Sequence, residues 1–210
     1  MKFKKTVGVA LATTFLLAAC NNDDEHIESY NDGLQQIQKV ETPIQDVSQQ
    51  MQKLESEKEK QMKKISGSNI PDVQDEVQKV LDNDQKIGEQ LNKEKNAIQK
   101  SKEEFEKIKK ESAKIEDEDT KKEFDDFNKA MTNKYEKHEA YLKEYENVLA
   151  KEKDLFQYFQ GQSGTQDIID QKSKALADVQ KDMSQKVKAY TDAVKKTQRE
   201  QRDIQQYLNE

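Results

Sequence analysis

Few residues in this chain could do chemistry. Among 210 residues there is one cysteine, Cys20, and two histidines, His26 and His138, against 42 acids and 36 bases. A lone thiol cannot close an internal disulfide. Neither histidine has a second histidine four residues on or a cysteine nearby, so zinc-type ligand spacing is absent. A carboxylate-bridged di-iron site needs Glu-x-x-His pairs. Around His138 the nearest acids are Glu136 and Glu139, two before and one after, which breaks that spacing. The acid pairs Glu103-Glu104 and Asp125-Asp126 are adjacent in sequence, so on a helix the partners do not share a face. Paired-carboxylate glycoside chemistry also needs a cleft. The residues therefore nominate no catalytic group, no metal ligand and no enzyme. His138 reads as a core or boundary histidine hydrogen-bonded to a carboxylate.

Cys20 is different because of what precedes it. Lys2, Lys4 and Lys5 form a positive start, and residues 6–19 are an uncharged run of Thr, Val, Ala, Leu and Phe with one Gly. That run is shorter than the ~20 residues a bilayer-spanning helix needs and has the layout of a secretory signal peptide, assigned to residues 1–19. It ends in Leu17-Ala18-Ala19-Cys20, which resembles the lipobox of bacterial lipoproteins. The resemblance implies a diacylglycerol lipid on the Cys20 sulfur, cleavage before Cys20, and no other cofactor. A lipidated sulfur also accounts for an unpaired cysteine in an exported chain, and two acyl chains suffice for stable membrane attachment. Loss of Lys2, Lys4 and Lys5 would carry the net charge from -6 to -9. So acidic a chain lacks the basic footprint that nucleic acid binding requires.

Something must position whatever this anchor carries. A polar tether follows over residues 20–25, and over all 210 residues only 32% are hydrophobic and 37% are charged. A globular domain is usually ~45–50% apolar, so disorder is the first expectation. Periodicity overturns it. From Val73 to Ile115 every third and fourth residue forms one stripe, including Val77, Val80, Asp84, Ile87, Leu91, Glu94, Ile98, Ser101, Phe105, Ile108 and Ser112. Nine of its thirteen positions are apolar, which marks a narrow helical seam and excludes a strand. Gly88 lies within it and costs up to ~1 kcal/mol of local helix stability. A second such stripe runs through Phe124, Phe127, Met131, Tyr135, His138, Leu142, Tyr145, Leu149, Phe156 and Phe159. Another runs from Ile169 through Leu176, Met183, Tyr190, Val194, Thr197 and Gln201 to Leu208. The earliest passes through Ile27, Tyr30, Leu34, Ile37, Val47, Met51, Leu54, Met62 and Ile65, and slips by a residue near Val40.

Ser66-Gly67-Ser68-Asn69-Ile70-Pro71 and Gly161-Gln162-Ser163-Gly164-Thr165 break the pattern, and the acidic run Glu116–Thr120 marks a tight turn between them. Thr42-Pro43-Ile44-Gln45 fits an N-cap, a first-turn proline and a cap-facing Gln, so a kink or short break is expected there, with a bent continuous helix the preferred form. The expected fold is all-α: an elongated, antiparallel, up-down-up-down four-helix bundle with coiled-coil-like packing. Its helices span about 26–66, 70–115, 118–160 and 166–208 within one domain, 26–210, each about 65 Å long. Cys20, the Glu116–Thr120 turn and Glu210 then fall at one end. Asp84 and Glu94 are polar residues in a seam, where they set register at a cost in stability. Tyr141 and Tyr158 fall beside the aromatic stripe and are nominated as binding contacts, against the alternative of a wide core face.

Across its whole length the chain resembles the YkyA-type family of cell-wall binding lipoproteins from low-GC Gram-positive bacteria. The lipobox, the Asn/Asp tether and the Lys/Glu/Gln-rich body carry the resemblance. It implies a lipid-anchored helical bundle on the outer face of the cytoplasmic membrane, projecting into the wall space. Its partners would be the membrane, through lipid, and peptidoglycan or an associated wall polymer. The alternative is an adaptor that positions another envelope protein through an exposed helix face.

Overall fold

The computed structural model describes residues 23–161 and 165–208. These form five α-helices: α1 (Asp24–Glu41), α2 (Pro43–Ile65), α3 (Gln74–Ser112), α4 (Glu118–Gln160) and α5 (Gln166–Tyr207). A short 3-10 turn, Ile70–Val73, leads into α3. No strand occurs among the described residues, and the fold is all-α with four helical legs, α1 and α2 together forming the first.

The join at Thr42 shows how a proline is accommodated. Pro43 has no N–H to give to the Lys39 carbonyl, and the Thr42 N–H takes that carbonyl instead at 3.4 Å. The Gln38 carbonyl, which the Thr42 N–H would otherwise have bonded, accepts from the Thr42 hydroxyl at 3.0 Å. Thr42 keeps right-handed helical angles, φ -49° and ψ -42°. α1 ends at Glu41 and α2 begins at Pro43, with the right-handed Thr42 as the one residue between them. The expected N-cap is therefore corrected: the Thr42 hydroxyl donates backwards into α1 rather than accepting from α2, taking the Gln38 carbonyl that the Thr42 N–H has left.

At the other breaks the local chemistry is conventional. Gly67, at φ +78°, takes the left-handed conformation just past α2. Asp117 caps α4, its carboxylate accepting from the Thr120 N–H at 2.8 Å and the Thr120 hydroxyl at 2.6 Å.

The described residues fall into two compact units, and α3, α4 and α5 contribute to both. The first comprises Asp46–Lys93 and Ala140–Val187. Val73, Val77, Val80 and Phe156 form a core cluster here, with Met62, Ile65, Leu81 and Phe159 against it. The Gln74 amide donates to the carbonyls of Phe159 and Ile70, both at 2.9 Å, joining the start of α3 to the end of α4.

The second unit comprises residues 23–45, Glu94–Glu139 and 188–208. Its core gathers Tyr30, Phe105, Phe124 and Phe127 with Ile, Leu and Met from the same stripes. Tyr30 packs edge-on against Phe124 at 4.9 Å, and its hydroxyl donates to Asn128 at 2.6 Å. At the end of this unit the buried Asp23 carboxylate accepts from the backbone N–H groups of Glu116 and Asp117, at 2.8 and 3.0 Å. The Tyr207 hydroxyl reaches Asp117 at 3.5 Å. The start of α1, the α3–α4 turn and the end of α5 thus meet, as an even number of antiparallel legs requires.

Candidate functional site

Polar residues enter each unit at positions where the stripes should carry apolar ones. In the first unit the seam of α2 lacks an apolar residue between Leu54 and Met62, and that of α4 lacks one between Leu149 and Phe156. Lys58 and Glu152 occupy those gaps and are 4% and 3% exposed. Together with Asp84 of α3 they form one buried cluster. The Lys58 ammonium lies 2.8 Å from Glu152, 3.1 Å from Asp84 and 3.4 Å from Glu55. The Tyr145 hydroxyl donates to Glu55.

Lys58 occupies the place a bound cation would take among three carboxylates. Burial works to lower its pKa, but Glu152, Glu55 and Asp84 outweigh burial and hold the ammonium above the ordinary lysine range. Asp84 goes the other way. Burial is the main cause and Glu152 adds to it, so that despite Lys58 the carboxyl is pushed up to about 7. Its second oxygen, Oδ2, is buried without a hydrogen-bond partner, as is Oδ1 of the neighbouring Asn83. The Asn83 amide donates to the Leu54 carbonyl at 3.1 Å. Such an arrangement fixes the level of α2 against α3 and α4, since any slip would strand charges.

The second unit carries a different polar layer. Ser101, fully buried, donates to Glu41 at 2.5 Å and lies 2.7 Å from the Tyr135 hydroxyl. Lys134, 3% exposed, reaches Glu41 at 3.5 Å. His138, 1% exposed, pairs with Glu94 at 2.7 Å, and its ring packs edge-on against Tyr190 at 5.0 Å. The carboxylate partner expected for His138 is therefore a residue of the α3 seam.

The nominated aromatics separate. Tyr141 is 8% exposed and packs edge-on against Tyr145, at 6.0 Å between ring centres. Tyr135 and Phe156 are also buried, each in the core cluster of its own unit, so the wide core face accounts for most of the aromatic excess. Tyr158 is half-buried in the last turn of α4. Its hydroxyl accepts from the Thr165 N–H at 2.8 Å, and the Lys172 ammonium lies 5.6 Å from its ring centre. Cys20, the nominated lipid attachment site, lies outside the described residues. Among the described residues no group of three or more His, Cys, Asp or Glu is placed to hold a metal ion. Likewise, no helix among them is long and apolar enough to cross a membrane.

Sequence reasoning missed Lys58, Glu152 and Glu41. The signal was present as gaps in the stripes filled by opposite charges. Position along a helix gives the face, but not which level of one helix meets which level of the next.

A profile of the family described as "Putative cell-wall binding lipoprotein" (YkyA) matches residues 25–207. The chain belongs to the YkyA family. The match takes in all four legs and the buried polar layers of both units. The chain is also similar to a protein from Staphylococcus aureus whose 1.6 Å crystal structure is described as that of a conserved protein of unknown function. The TM-score is 0.79 at 25% identity, over 90% of this chain and 97% of that one. No curated protein matches.

Proposed function

We propose that this YkyA-family chain is an exported lipoprotein, held on the outer face of the cytoplasmic membrane by a diacylglycerol thioether on Cys20. There it acts as a non-enzymatic module that binds or spaces cell-wall material. The family match over residues 25–207 carries the reading, and Leu17-Ala18-Ala19-Cys20 supplies the anchor. The domain organisation proposed with it is a signal peptide over 1–19, a lipidated tether expected over 20–25 whose last two residues already lie in α1, and a helical body to 210.

The structure supports an anchor of this kind. Asp23 lies three residues after Cys20, and its buried carboxylate is tied to the α3–α4 turn. Force on the lipid would therefore pass into the helical body almost at once. Helices of 39 to 43 residues are each about 60 Å long, which suits a spacer. Of the two nominated contacts, Tyr158 keeps accessible ring surface and we assign it a contact with wall material; Tyr141 has little to offer from its buried position. Intact mass of the mature protein tests the anchor, with a diacylated or triacylated Cys20 start expected. A start at Met1 or a free Cys20 thiol sinks it. Tyr158→Ala should weaken wall association several-fold while far-UV circular dichroism stays unchanged, and undiminished association removes Tyr158 from the contact.

A further inference from the structure

The sequence has 34 lysines but only two arginines, Arg199 and Arg202, and both fall within the run Lys195-Lys196-Thr197-Gln198-Arg199-Glu200-Gln201-Arg202 of α5. Val194, Thr197, Gln201 and Ile204 are buried and face the interior of the second unit, which turns Lys195, Lys196 and Arg199 outward. Asp192 joins these three around an open pocket of about 250 Å³.

The acids near this pocket are already occupied. Asp192 is bonded to Lys188 at 2.5 Å, one turn back on α5. Asp126 of α4, which feels the charge of Lys196, is bonded to Lys129 at 2.9 Å. Arg199 is 62% exposed and has only a long contact, 3.7 Å, to Glu200. Lys195 and Lys196 form no ion pair within 4.0 Å among the described residues, and act on Asp192 and Asp126 only at longer range. Three cations therefore converge on one open pocket whose one lining acid, Asp192, is already bonded to Lys188 and whose Arg199 has only the 3.7 Å contact to Glu200, in a chain whose overall charge is -6.

We propose that this α5 face binds phosphodiester groups of a linear anionic wall polymer, the class of polyanion open to a chain held outside the cell. Three features of the site suit that class. A guanidinium fork matches two oxygens of one phosphate, while two ammonium groups act as point charges beside it. An open pocket lets a chain run through rather than enclosing a small molecule. Its walls are charged side chains, with no aromatic or aliphatic lining for an apolar ligand.

A polymer fits better than a phospholipid headgroup. Arg199 precedes Tyr207 by about 12 Å along α5, and Asp192 by about 22 Å. The end marked by Tyr207 carries Asp23, Glu116 and Asp117. Those acids oppose an anionic bilayer, and screening at physiological salt acts within about 8 Å.

The inference rests on the wall-facing location proposed above. It is tested with the full lipidated chain in detergent micelles, using a synthetic glycerol phosphate oligomer as probe, at low and physiological salt. Wild type should bind, with affinity falling steeply as salt rises. Combined Lys195→Ala, Lys196→Ala and Arg199→Ala should weaken binding at least ten-fold. Combined Lys60→Ala, Lys153→Ala and Lys181→Ala, which remove the same charge from exposed positions elsewhere, should leave it within two-fold. Arg199→Lys should lose several-fold through the missing fork. Equal loss in both triple variants, no loss in the first, or binding only to phosphatidylglycerol vesicles overturns the proposal. Wall sacculi stripped of phosphodiester polymer separate the two readings. If they retain wild type and the first triple variant equally, and the oligomer does not bind, this face is wrong and wall binding stands. If no wall preparation binds while the oligomer does, the face stands and the wall reading fails.

Discussion

Asp84 offers the most quantitative test of how the first unit is held together. Its carboxyl is 6% exposed, has one buried oxygen without a partner, and sits beside Glu152. These surroundings move it from 3.8 to about 7. A carboxyl raised on folding stabilises the fold fully below its unfolded value, and that stability is lost as pH climbs through the folded value. Between 3.8 and about 7 the penalty amounts to ~4 kcal/mol, and ~3 kcal/mol of it develops between about pH 4.5 and about pH 8. Lys58 does not titrate in this window, because its ammonium is held above the lysine range. Asp84→Asn keeps the shape and removes the titration. Urea denaturation followed by circular dichroism should find the two proteins close in stability at the lower pH. At the higher pH the variant should be more stable by ~2 to ~4 kcal/mol, the smaller figure allowing Lys58 and Glu152 to re-pair in the wild type. Surface acids titrate equally in both proteins and cancel. A difference independent of pH, or a variant less stable at the higher pH, refutes the reasoning.

Three further outcomes follow from packing. Lys58→Met leaves Glu152 and Asp84 buried around no cation, and should lower stability by ~3 to ~5 kcal/mol in the same denaturation assay at neutral pH. Gly33→Ala and Gly88→Ala should differ in sign in thermal melts. A Cβ on Gly33 would meet the Ile108 side chain at 1.8 Å, costing ~1 to ~3 kcal/mol, whereas one on Gly88 meets only Leu149 at 4.0 Å and should gain up to ~1 kcal/mol in helix propensity. Asp117→Ala removes the cap of α4 and should cost ~1 kcal/mol, with faster amide hydrogen exchange at Thr120 as its local signature.

Much of the fold was legible because helical seams repeat over long distances. Twelve of the thirteen stripe residues from Val73 to Ile115 are buried, and the other, Glu94, is half-buried against His138. Periodicity therefore identified both the helices and the faces they bury. It did not give the pairings. Lys58, Asp84 and Glu152 lie on three helices, and only the relative level of those helices brings them together. Gly33 is similar: within α1 it resembles any helix-weakening glycine, and its need to be glycine comes from Ile108 on α3. At Thr42 the cap motif was present, but the Gln38 carbonyl, left open by the Thr42 N–H, drew the hydroxyl at 3.0 Å and the motif lost. Tyr141 sat beside its stripe yet is buried against Tyr145, since a face four legs share is wider than a two-helix seam. No signal in the sequence marked the α5 pocket except the clustering of both arginines.

Co-sedimentation of the full lipidated chain, in detergent, with purified protein-free wall sacculi tests wall binding most directly. Saturable retention without any other envelope protein is the expected result. Retention only when a second envelope protein is restored to the sacculi contradicts wall binding and makes the chain an adaptor.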